Sequence, residues 1–172
     1  AACPPGQYGS ATSASSKPPC EDCPRGRYSV ARGLTSRDQC SKCPRGTFGV
    51  DSGADTPESC IGCARGRFGN TSGANASSQC FSCQLGIEYT DELGQGACKS
   101  AACEAGKFGV AKNTSAKPPC EDCPKGRYSV ARGLTNRDQC SKCPRGTFGV
   151  DSGATTPESC IGCARGRFGN TS

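Results

Sequence analysis

Cys43 to Cys63 reads CPRGTFGVDSGADTPESCIGC, and the same stretch returns as Cys143 to Cys163 with one change, Asp55 to Thr155. It opens and closes on cysteine, and looser versions fill most of the remaining chain. Cys3, Cys23, Cys43, Cys63, Cys83, Cys103, Cys123, Cys143 and Cys163 follow one another at a constant step of 20 residues. Strict self-similarity at such a period marks a repeat array, in which each unit mainly contacts its neighbours. The units run 1–22, 23–42, 43–62, 63–82, a divergent acidic one at 83–102, then 103–122, 123–142, 143–162 and a partial one at 163–172. A second-order repeat of 100 residues lies above them: from Lys17 to Ser72 the chain recurs at 117–172 with changes only at positions 25, 36 and 55.

Composition decides what can hold such a chain together. Leu, Ile, Val and Phe make up about a tenth of it, Met and Trp are absent, and Gly numbers 24. That apolar content is typical of disordered sequence, and it cannot offset roughly 1–2 kcal/mol of backbone entropy per ordered residue. The 17 cysteines must supply the difference. Cysteine at this density is the mark of a disulfide scaffold, which persists in oxidising compartments; the expected location is extracellular, secreted or on a cell-surface appendage. No apolar run approaches the ~20 residues of a membrane span. No signal peptide opens the chain, and both ends fall inside repeats, so the sequence reads as a window on a longer array.

Two pairings respect the period. Joining each cysteine to the one 17 residues on gives Cys3–Cys20, Cys23–Cys40, Cys43–Cys60, Cys63–Cys80, Cys103–Cys120, Cys123–Cys140 and Cys143–Cys160. The divergent unit closes two residues early as Cys83–Cys98, and Cys163 is left for a residue outside the chain. Each loop of this size contributes about 3 kcal/mol in the chain-entropy model, less than the cost of ordering a unit, so stacking between units must add to it. The other pairing, within each C-x-x-C, leaves Cys3 and Cys103 odd and closes no long loop. C-x2-C-x16-C-x2-C also fits structural zinc, but zinc would consume units two at a time and impose a period of 40. The expectation is disulfides, with no metal and no cofactor.

The units share C-x-x-G-x-[YF]. Gly6, Gly26, Gly46 and their successors suit a turn with positive φ, where a Cβ would clash. Two places on stands an aromatic (Tyr8, Phe48, Phe68, Phe108, Tyr128), expected to lie against a neighbouring disulfide; an aromatic ladder that meets a ligand is the rival reading. Gly33, Gly53, Gly73, Gly133 and Gly153 mark a second turn, read as the tip of a short hairpin. Glycine and proline interrupt every window of ten or so, leaving little or no helix. The fold class is therefore small disulfide-rich repeats, irregular loops and short β-hairpins stacked into an elongated rod.

Chemistry is sparse. There is no histidine, so Ser or Cys nucleophiles lack their usual base, and no enzyme is expected. Asp51 and Asp55 hint at calcium, but Asp55 is lost in the second copy. The net charge of +6 comes from Arg25, Arg27, Arg45, Arg65 and Arg67 at fixed places, a basic stripe that reads as a solvated face or as attraction to an acidic polysaccharide. Nucleic acid is not an expected partner. Asn70, Asn75, Asn113 and Asn170 each open an N-x-[ST] acceptor, and the Ser-rich GSATSASSKPP before Cys20 is similar to an O-glycosylated tract.

The repeat C-x-x-G-x-[YF]…C-x-x-C, as in Cys23-Pro-Arg-Gly-Arg-Tyr and Cys43-Pro-Arg-Gly-Thr-Phe, resembles the ephrin-receptor-like cysteine-rich repeat. It also resembles the first half-module of tumour necrosis factor receptor repeats. The resemblance covers nearly the whole chain and implies an elongated extracellular rod of disulfide-pinned loops. Receptors and large matrix or surface proteins are both built this way. Near-identical units at a uniform step favour a structural glycoprotein, a fibre, stalk or surface hair that assembles with copies of itself or with other matrix glycoproteins. The alternative is a ligand-binding or adhesive ectodomain.

Overall fold

A computed structural model describes residues 2–9 and 19–164. The described residues contain no α-helix. They form two-stranded antiparallel ladders with strands of two or three residues, each built within one repeat. Arg27–Tyr28 pairs with Ser41–Lys42 in the second unit, and Thr47–Phe48 with Ile61–Gly62 in the third. The expected class of small disulfide-rich repeats is the one observed.

Each ladder begins with a tight turn. In the second unit Arg27 N donates to Pro24 O at 3.0 Å, and Gly26 takes φ +79°, a left-handed value that an L side chain reaches only at a cost. The connection between the two strands, residues 29–40, is longer than the short hairpin read from sequence. Gly33 does turn there with φ +72°, but it is no free tip: its amide donates to Cys3 O of the preceding unit at 2.8 Å. The connection ends in a single 3₁₀ turn, Arg37–Gln39, and like turns recur at Pro57–Ser59, Ser77–Gln79, Arg137–Gln139 and Pro157–Ser159. Gln39 Oε1 fixes the entry by accepting from Thr35 N at 2.6 Å and Ser36 N at 3.1 Å.

The chain divides into two bodies, Ala1–Ser82 with Thr90–Cys98, and Cys83–Tyr89 with Lys99–Ser172. Within the first body, one set of main-chain bonds joins each unit to the next. Between the second and third units Cys43 N donates to Gly26 O (2.8 Å), Gly26 N to Gly49 O (2.9 Å), Ser29 N to Ala54 O (3.0 Å) and Gly53 N to Cys23 O (2.8 Å). The second body repeats the set where Cys123 N meets Gly106 O, Gly106 N meets Ser129 O, Gly109 N meets Leu134 O and Gly133 N meets Cys103 O. Backbone thus does the stacking that an apolar core would do elsewhere, as the composition requires. Tyr8 opposite Leu34, Tyr28 opposite Ala54 and Phe48 opposite Ala74 add isolated parallel bridges across the same junctions.

Contacts reach further than the nearest neighbour. A Cβ placed on Gly26 would stand 2.3 Å from the carbonyl oxygen of Gly73, two units on, and one on Gly106 would stand 2.3 Å from that of Gly153. At Gly26 and Gly106 the glycine of C-x-x-G is therefore demanded twice, by its own φ and by the backbone lying over it.

Candidate functional site

What recurs in every unit is a disulfide beside a turn. Cys3–Cys20, Cys23–Cys40, Cys43–Cys60, Cys63–Cys80, Cys103–Cys120, Cys123–Cys140 and Cys143–Cys160 are joined, with Cα atoms 5.6–5.9 Å apart. Cys83 and Cys98 are also disulfide-bonded. Cys163 is half-buried and has no cysteine partner among the described residues. The opening cysteines are all buried among the described residues up to Cys143, with Cys23 and Cys123 fully so.

The aromatic positions divide. Phe108 is buried and packs on Cys123 and Cys140, the bridge of the following unit, together with Val110 and Leu134. Phe68 meets Phe81 across the ladder with ring centroids 6.0 Å apart, and Phe81 itself is half open to solvent. In the divergent unit the place belongs to Tyr89, three residues after Gly86, and Tyr89 pairs with Lys99. Ile87 is the inserted residue that moves it, which a search two places after glycine passes over.

That insertion carries through. Gly66 N meets Thr90 O at 2.9 Å, and Thr90 Oγ1 accepts from the same amide at 2.7 Å while donating to Arg67 O at 3.3 Å. Thr90 is fully buried. Gly94 N then donates to Cys63 O (2.9 Å), the bond Gly53 makes to Cys23. Of the acidic side chains here, Glu88 accepts from Gln84 N and Glu92 from Gln95 Nε2. The divergent unit thus keeps the junction with a changed loop.

The basic stripe separates into two kinds. Arg27 and Arg127 donate through Nη1 to the carbonyls of Cys40 and Cys140 at 2.9 Å, and Arg67 does so to Cys80 at 3.4 Å. These three hold the closing cysteine. Arg25, Arg45 and Arg65 sit exposed at the turn corners. Two exposed groups titrate away from their ordinary values. The Tyr8 phenol donates to Glu21 Oε2 at 2.7 Å, which raises it, and backbone and Thr156 hydrogen bonds lower the Glu158 carboxyl.

Asn70, Asn75 and Asn113 are all exposed, whereas Asn170 and most of the Ser-rich tract before Cys20 lie outside the described residues. Among the described residues no group of His, Cys, Asp or Glu is arranged to hold a metal ion, and no helix is long and apolar enough to cross a membrane.

Residues 9–60 and 109–160, together more than half the chain, match the family described as tyrosine-protein kinase ephrin type A/B receptor-like. No curated protein matches the chain. Repeats of this disulfide-rich kind are typical of extracellular or cell-surface domains. By that match over more than half its length, the chain belongs to the ephrin-receptor-like cysteine-rich repeats.

Proposed function

We propose that this chain is a segment of a structural extracellular glycoprotein, a repeat rod that works as a fibre, stalk or surface hair without catalysis. The observation that carries this reading is the repeated junction. The same four backbone bonds recur at the Cys23, Cys43, Cys63 and Cys123 junctions, at places common to the units. A ligand-reading surface would draw its specificity from side chains that differ between modules; here the groups that join the units are main-chain atoms. Head-to-tail contacts of one kind extend into filaments when they do not close, so the natural partners are copies of itself or other matrix glycoproteins. Electron microscopy of native material tests it. Fibres with an axial period tied to the 20- or 100-residue repeat are expected; a compact particle that binds a soluble ligand tightly would overturn the reading.

The second reading is a receptor or adhesin ectodomain. It is favoured by the family match and by the apolar cross-strand pairs Phe48–Ile61 and Phe68–Phe81, of which Ile61 and Phe81 are about half exposed. Exposed aromatics of this sort are the usual anchors of protein interfaces.

A further inference from the structure

Four cations surround one of the junction hydrogen bonds. Cys43 N donates to Gly26 O at 2.8 Å; Arg25 and Arg27 flank that glycine, Lys42 precedes the cysteine, and Arg45 follows two places on. Arg27 and Lys42 face each other directly across the ladder. Like charges directly opposite destabilise a strand pair, yet the second copy keeps the arrangement. Arg127 faces Lys142, Cys143 N donates to Gly126 O at 2.9 Å, and Lys125 and Arg145 complete the set. The one difference, Arg25 against Lys125, preserves the charge.

The other junctions within the two bodies do not share this. At Gly6 and Cys23 the same places hold Pro5, Gln7, Asp22 and Arg25, and Gln7 Nε2 donates to Asp22 at 2.9 Å. At Gly106 and Cys123 they hold Ala105, Lys107, Asp122 and Lys125, with Lys107 ion-paired to Asp122. At Gly46 and Cys63 two are uncharged, Thr47 and Gly62. The Arg27 and Arg127 guanidiniums are fixed by the Cys40 and Cys140 carbonyls. Arg25, Lys42, Arg45, Lys125, Lys142 and Arg145 are exposed. Among the described residues the carboxylate paired into either set is Asp38, 3.9 Å from Arg27 and 93% exposed, a pair of the kind that contributes little.

We propose that each set binds a sulfated polysaccharide, its anionic groups lodging among Arg25, Lys42 and Arg45, and among Lys125, Lys142 and Arg145. Arg27 and Arg127 form the fixed side of each site, and a bound sulfate relieves the repulsion across the ladder. Multidentate anion recognition by guanidinium and ammonium groups is the chemistry involved. Two such sets on one chain offer a polymeric ligand more than one foothold. Single-stranded nucleic acid fits less well, because it needs aromatic faces for stacking, and the neighbouring Tyr28 and Tyr128 are half-buried against Ser41 and Ser141.

The proposal does not depend on fibre formation, and the test uses the soluble full chain with heparin as the probe. One variant carries Arg25→Gln, Lys42→Gln, Lys125→Gln and Lys142→Gln; the control carries Arg32→Gln, Arg37→Gln, Lys112→Gln and Lys117→Gln. Both lose the same charge, and native disulfide content is verified in each. The expected result is at least a tenfold loss of heparin affinity in the first variant and less than threefold in the control. The log–log salt slope should also fall by roughly one for each contact removed. Equal losses in the two variants would reduce the effect to net charge and overturn the sites. No heparin binding by the parent chain, or tighter binding to single-stranded DNA than to heparin, would overturn the ligand class.

Discussion

Gly6 lies under Gly53: a Cβ on Gly6 would stand 2.2 Å from the Gly53 carbonyl oxygen, although the whole Cys23–Cys40 loop lies between them in sequence. The same fit recurs between Gly26 and Gly73, whereas a Cβ built on Gly94, which has φ +75°, would come no nearer than 3.8 Å to the residues packed around it. Gly94→Ala therefore meets only the left-handed backbone, a cost of about 1–2 kcal/mol. Gly26→Ala meets that cost and the Gly73 and Ala74 carbonyls at 2.3 and 2.8 Å, adding strain on the order of the 1–3 kcal/mol of overpacking. Denaturant midpoints of the two variants should separate clearly, with Gly26→Ala the lower. Equal midpoints would mean the overlying backbone moves aside.

The aromatic places offer a parallel contrast. Phe108 is 7% exposed and packs on the Cys123–Cys140 bridge, so Phe108→Ala should cost about 3–5 kcal/mol. It should also speed reduction of that bridge by a thiol reagent, since the ring covers it. Phe81, 49% exposed, should tolerate alanine with a loss of about 1 kcal/mol. Mass spectrometry of partially reduced samples reads both effects.

Much of this fold can be read from period and residue type, because in so poor a core the bridges and turns do what buried side chains usually do. The positive φ at Gly26 and Gly33 follows from glycine standing at fixed places where a turn is needed. What escapes the sequence is what each turn touches. Gly33 looks like a solvent-exposed tip, yet its amide is bonded to the preceding unit at Cys3. Nothing in the spacing places Gly73 over Gly26, because contact two units away depends on the rotation between units and not on their length. The stripe of arginines likewise hides its division: Arg25 and Arg27 are two residues apart, and only the ladder pairing places Arg27 beside Lys42 and its guanidinium on Cys40. Tyr89 is missed because a single inserted residue, Ile87, shifts it by one.

The divergent unit depends on a buried hydroxyl. Thr90→Val keeps the shape but leaves Arg67 O without its hydroxyl donor, and leaves Gly66 N with the Thr90 carbonyl alone. A loss of about 1–2 kcal/mol is expected, concentrated at one junction. Hydrogen exchange should quicken at the Gly66 and Gly69 amides and remain unchanged at Gly26. Thr90→Ser should restore protection; if it does not, the methyl group and not the hydroxyl holds the site.

Tyr8 supplies a pH test. Its phenol is cross-strand partner to Glu21 and donates to that carboxylate, and this hydrogen bond, followed by burial and by the Glu21 charge, raises its ionisation above the ordinary value. A group raised in the folded state contributes stability that is fully present below its unfolded value, about 10. That stability is lost as pH climbs through the higher folded value. Ultraviolet titration of the four tyrosines should show one late component that Glu21→Ala returns to the ordinary range. A titration unchanged by the substitution would show that the pair does not persist in solution.

The acceptor asparagines give the last prediction. Asn70 is exposed and stands 20 and 40 residues after Val50 and Val30, which hold the same place in their units and are themselves open to solvent. A glycan there would project from a face already free of overlying chain. Asn113 is exposed too, and its Oδ1 accepts from Ser115 N at 3.0 Å, a local turn that presents the whole Asn-Thr-Ser acceptor at the surface. Asn75 is exposed, but its own amide donates to Gln79 Oε1 at 2.7 Å, so its backbone is committed to the entry of the 3₁₀ turn Ser77–Gln79. Enzymes that act on acceptors need local chain freedom, and five residues from Asn70 a second sugar also meets crowding. Native material treated with an amidase in heavy-oxygen water should therefore show high conversion to Asp at Asn70 and Asn113, and lower conversion at Asn75. Gln79→Ala, which frees the Asn75 amide, should raise occupancy at Asn75 alone. Bare asparagines at 70 and 113 in native material would defeat the glycoprotein reading, and equal occupancy at all three would defeat the ranking.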